Sequence, residues 1–106
     1  MESASIRFEL AINPVIYAEL SIAFQRIEEL EAMIKTARLQ LEPLPREALF
    51  LAGRIYLKYR RQKGTKTGVL PDFFIGAHAA VAGLPLLTRD VARYSAYFPT
   101  LKLITP

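Results

Sequence analysis

PDFFIGAHAAVAGLPLLTRD, residues 71–90, joins a helix to a strand and sets a carboxylate at the start of the first and at the end of the second. Pro71 has the fixed φ favoured at the first position of a helix. Asp72 follows in the first turn, where a negative charge meets free N–H groups and the positive end of the helix dipole. Gly76, Ala80 and Gly83 recur at helical spacing. They make a small-residue face that lets the helix press close to its neighbours, and Gly83 is placed to stop it. Leu84 to Thr88 then read as a short buried strand, because a continuous apolar run bounded by Gly and a charged pair suits a parallel sheet covered on both faces. Arg89 and Asp90 follow at its carboxyl end, where open α/β sheets build their sites.

Outward from this stretch, ARYSAYFPTLKLITP (residues 92–106) adds an aromatic Phe-Pro corner and a last apolar strand, and INPVIYAEL (residues 12–20) sets Glu19 on an earlier helix. Together these segments resemble the PIN domain family, most closely the VapC-like toxins of bacterial toxin–antitoxin pairs. The resemblance implies an α/β fold of three layers, a mainly parallel sheet flanked by helices. It also implies a Mg²⁺- or Mn²⁺-dependent ribonuclease with four acids around the metal, of which Glu19, Asp72 and Asp90 match by motif. The family's first strand, which ends in the fourth acid, would lie before Met1. The expectation is therefore one PIN-like domain over residues 1–106, incomplete at its N-terminus. In the family that strand is the middle one of a sheet ordered 3-2-1-4-5. Without it, the strands at Phe8 and Leu84 are expected either to close on each other or to be covered by a second copy of the chain.

The composition agrees with a single cytoplasmic domain. The chain has 106 residues, 52% of them hydrophobic, yet no apolar run long enough to cross a bilayer. No secretory signal pattern opens it. With no cysteine and one histidine it can form neither a disulfide framework nor a zinc cluster. A net charge of +4 permits an anionic partner without requiring one.

In chain order, residues 7–12 read as a strand, and Asn13-Pro14 as the cap and first position of a helix running through Phe24. At about 100° per residue, Glu19 falls between Val15, Ile16, Ile22 and Ala23. A carboxylate within a buried apolar stripe must be paired, protonated or metal-bound. The alternative is that Glu19 faces solvent or pairs with Arg26. Residues 25–41 carry Ile27, Leu30, Ile34, Ala37 and Leu41 at alternating spacings of 3 and 4, which predicts a second helix packed on its neighbour rather than an intermolecular coil. Residues 40–45, with two prolines, read as a connector or short edge strand.

Residues 46–61 place Ala48, Ala52, Ile55 and Tyr59 on one face of a third helix. Its end is cationic: Arg54, Lys58, Arg60, Arg61, Lys63 and Lys66 interleave with Tyr56 and Tyr59. This run is a candidate RNA contact, cations gripping phosphates and tyrosines stacking bases, or else a wet surface whose charges complement the helix dipole. His78, about 120° from Asp72 in projection, reads as structural. Residues 91–98 read as a short helix capped by Asp90, which gives that acid a role independent of chemistry. Residues 101–105 form the last strand.

The reading is an α/β domain in which Glu19, Asp72 and Asp90 hold Mg²⁺ or Mn²⁺ for hydrolysis of RNA phosphodiester bonds. The alternative is a PIN remnant that binds RNA or an antitoxin without cutting. An antitoxin partner and a homo-oligomer are expected from the resemblance, with the amphipathic pair at residues 15–41 offering the antitoxin a groove.

Overall fold

Helices alternate with short parallel strands, as expected for an α/β chain, in the computed structural model of the protein, which describes residues 10–66 and 68–106. β1 (Ala11–Ile12) pairs in parallel with β2 (Gln40–Leu41), and β3 (Leu86–Leu87) with β4 (Leu103–Ile104). Parallel neighbours need a crossover. α1 (Pro14–Ser21) and α2 (Ile27–Ala37) provide it for the first pair, α5 (Val91–Tyr97) for the second, and α3 (Arg46–Arg61) and α4 (Leu70–Ala82) lie between the two pairs in sequence. The chain divides into two compact units at Pro43 and Leu44.

In the first unit the expected Asn13 cap forms, its side chain accepting the Ile16 N–H at 2.9 Å. α1 ends at Ser21 rather than running through Phe24. There the Ser21 hydroxyl donates to the Ala18 carbonyl at 2.6 Å, and Ile22, Ala23 and Phe24 bond back three residues instead of four. A serine competing for backbone carbonyls in this way loosens the last turn. α2 opens with Glu29 accepting the N–H groups of Gln25 and Arg26, both at 3.2 Å. It stops at Arg38, which adopts a left-handed φ of 56°. The helix expected to reach Leu41 thus gives way to β2, because Gln40 N–H bonds Leu10 O and Glu42 N–H bonds Ile12 O. Of the alternating apolar positions Leu30 is fully buried at 1% exposure, whereas Ile27 is exposed. Tyr17 donates to Glu31 at 2.7 Å, fastening α1 to α2. Sharing its proton with that carboxylate raises the tyrosine's pKa above its ordinary value.

In the second unit α3 starts directly after Pro45 and turns the expected stripe inward. Ala48 and Ala52 are fully covered, and Tyr59 is buried. They join Val69, Phe73, Ala77, Tyr94 and Phe98 in one apolar core, against which Ile55, Leu86, Leu101 and Leu103 rest. Tyr59, Phe73 and Tyr97 meet at ring-centre distances of 5.0 to 6.0 Å, a geometry favourable beyond its buried area. α4 ends at Gly83, whose φ of 68° is left-handed, as the sequence predicts.

Two expectations are corrected. The strand expected over Leu84–Thr88 is only Leu86–Leu87, and one face alone is covered. Leu86 and Leu103 meet the core, while their successors Leu87 and Ile104 remain 50% and 38% exposed. The buried stripe around Glu19 is also absent, since α1 contains no buried residue and Ile22 is 85% exposed. Phe8 lies outside the described residues. The described strands pair only as β1 with β2 and β3 with β4.

Candidate functional site

Asp72 sits in the first turn of α4. Asp90 is the N-cap of α5, its Oδ1 accepting the Arg93 N–H at 3.2 Å, while its own N–H donates to Thr88 Oγ1 at 3.0 Å. Packing of α4 and α5 in one core brings the two carboxylates toward the same side chain. The Arg93 guanidinium donates through Nη1 to Asp72 Oδ2, and its Nε lies 3.6 Å from Asp90 Oδ2. Two acids 18 residues apart in sequence therefore converge on one cation. Asp72 and Arg93 are each only 26% exposed, which lessens the solvent screening of their attraction.

Arg93 has no place among the residues that sequence reasoning picks out. The available signal is its position three residues after an N-cap aspartate. There a cation faces the positive end of the helix dipole and needs a negative partner. Glu19 stands exposed on α1 in the first unit. Among the described residues no group of three or more His, Cys, Asp and Glu side chains is gathered as a metal cluster. The Asp72–Asp90 pair nonetheless suits a hard divalent ion. Mg²⁺ is commonly held by one or two carboxylates, its other positions filled by water and substrate phosphate, and the guanidinium marks where a positive charge is stable.

The cationic residues at and beyond the end of α3, Arg54, Lys58, Arg60, Arg61, Lys63 and Lys66, are all exposed. Arg54 lies over the Phe50 ring at 4.8 Å. Tyr59 is not available to stack a base. Its ring lies in the core and its hydroxyl accepts the Lys66 N–H at 2.7 Å, fastening the loop that follows α3. In the first unit Tyr17, Phe24, Ile27 and Leu30 line an open groove of about 260 Å³.

The sequence profile described as PIN domain matches residues 1–98. The chain belongs to the PIN domain family. Solved structures agree in fold. A chain of VapBC-1 from nontypeable Haemophilus influenzae is similar at a TM-score of 0.72 and 20% identity, covering 98% of this PIN domain and 81% of its own length. A chain of VapBC2 from Rickettsia felis, bound to a DNA fragment from their promoter, gives 0.67 at 24% identity over 92% and 74%. One of DNA-bound VapBC from Salmonella typhimurium gives 0.67 at 21% over 90% and 74%. No curated protein matches the chain. The PIN domain thus has a VapC-like α/β fold, and among its described residues no helix is long and apolar enough to cross a membrane.

Proposed function

We propose that this PIN domain, taken as one domain over residues 1–106, is an endoribonuclease of a toxin–antitoxin pair that works with Mg²⁺ or Mn²⁺. The observation that carries the reading is the convergence of Asp72 and Asp90 on a single cation in a member of this family. Asp72 and Asp90 would hold the ion, with Glu19 as the third acid that the family motif assigns. Bound there, the metal would supply Lewis-acid stabilisation of charge on the scissile phosphate and lower the pKa of a water. Asp72 lies in the first turn of α4, where the helix dipole favours a carboxylate. The cap bond to Arg93 N–H fixes the Asp90 carboxylate, so little ordering is left to pay on binding. The exposed cations around the end of α3 would grip the RNA backbone without reading its bases. The groove of Tyr17, Phe24, Ile27 and Leu30 fits an apolar segment of an antitoxin. Self-association is expected as well.

A second reading, a PIN module that binds RNA or an antitoxin without cutting, is favoured by one observation: the two acids already have a positive partner in Arg93. Cleavage of labelled RNA separates the readings. Hydrolysis should require Mg²⁺ or Mn²⁺ and stop with a chelator. Asp72→Asn and Asp90→Asn should each slow it by about 100-fold or more, the usual scale for losing a group that holds the catalytic charge. Asn serves as well as Asp at an N-cap, so Asp90→Asn tests chemistry rather than the start of α5. Cleavage indifferent to chelator, or unchanged in both variants, overturns the nuclease reading.

A further inference from the structure

We infer that Arg93 is the built-in counter-ion of the Asp72–Asp90 pair, and that a divalent cation binds by taking its place. The inference rests on the metal-site reading of the two acids and adds a residue to it. Two carboxylates that face one guanidinium, at Nη1 and at Nε, repel each other unless a positive charge lies between them. Among the described residues Arg93 is that charge, bonded to Asp72 and 3.6 Å from Asp90.

Its position shows that the side chain is held by the acids and not by its helix. Arg93 is the third residue of α5, in the first turn, where a cation is disfavoured by the dipole. The bonds at Asp90 are also divided. Oδ1 takes the backbone N–H of Arg93, whereas Oδ2 faces the guanidinium. Withdrawal of the side chain therefore leaves the cap intact. Asp90 stays oriented, α5 stays started, and both carboxylates are set free together. Arg93 is thus a positioning residue that holds the two acids to one cation while no metal is bound. Its release opposes metal entry, so it sets the affinity of the site.

Mn²⁺ titrated calorimetrically into the full chain without RNA tests this. Arg93→Gln should bind Mn²⁺ on the order of 10-fold more tightly than the unaltered protein, since a competing charge a few ångströms away has been removed. Its metal-free form should melt at a lower temperature. Asp72→Asn should abolish binding in either background. If Arg93→Gln binds no more tightly while Asp72→Asn still abolishes binding, the counter-ion role is overturned and the metal site stands. If neither the unaltered protein nor Arg93→Gln binds Mn²⁺, the metal reading and this inference fall together. Should Arg93→Gln fail to fold, the unaltered protein supplies the readout through its Arg93 Nε–H resonance. Addition of Mg²⁺ should shift that resonance and speed its exchange with water, and a resonance unmoved at saturating Mg²⁺ overturns the proposal.

Discussion

A β-carbon built on Gly76 would lie 2.4 Å from the ring of Phe98, which is why a helix keeps a glycine where alanine would form helix better. Gly76→Ala should therefore destabilise by about 1 to 3 kcal/mol in urea unfolding, the range for overfilling a packed core, despite its gain in helix propensity. Unchanged or raised stability would mean that Phe98 moves aside freely. The small-residue face was legible because glycine within an apolar helix has few explanations other than close approach. Tyr59 was not legible in the same way. Its place among Arg and Lys matches a nucleic-acid surface as well as a core stripe, and only its contacts with Phe73 and Tyr97 decide for the core. Arg93 is not legible for a further reason. A salt bridge between residues 21 apart depends on how two helices pack, which no local pattern encodes.

At the scale of elements, starts and stops were legible where one residue has one cause: Asn13 before Pro14, Pro45 before α3, Gly83 after α4, Asp90 before α5. Ends set by competition were not. α1 stops early because Ser21 bonds backward, and α2 yields to β2 because Leu10 and Ile12 offer carbonyls that no helix signal announces. The cationic run at and beyond the end of α3 belongs here too, since all six of its charges are exposed. Replacing Arg60, Arg61 and Lys63 by Ala should weaken RNA binding alike for all sequences. The slope of log affinity against log salt should fall by up to about 2, at roughly 0.7 per lost phosphate contact with single strands. Stability should change little, because the three side chains lie outside the core. Binding unaltered at low salt would assign the run to solubility alone.

Across the described residues, the pairings β1–β2 and β3–β4 match the neighbours 2 with 3 and 4 with 5 in the order 3-2-1-4-5 that the resemblance implied, with these strands counted as the second to fifth. That much topology was legible through the family. The distribution of stability was not, because an apolar composition of 52% does not say where the apolar surface goes. The second unit takes most of it. Ala48, Ala52, Tyr59, Val69, Phe73, Ala77, Tyr94 and Phe98 form one core. In the first unit the buried residues described are Ile12, Asn13 and Leu30, and α1 has none. Amides exchange through the smallest opening that frees them, and few buried contacts mean a small opening energy. Ala52, Phe73 and Ala77 should therefore exchange only when the second unit unfolds as a whole. The amides of α1 should exchange at least about 100-fold faster, through local opening that leaves that core closed. Residue-resolved hydrogen exchange under native conditions checks this directly. Equal protection of α1 and α4 would mean that the first unit draws stability from contacts other than its own buried side chains.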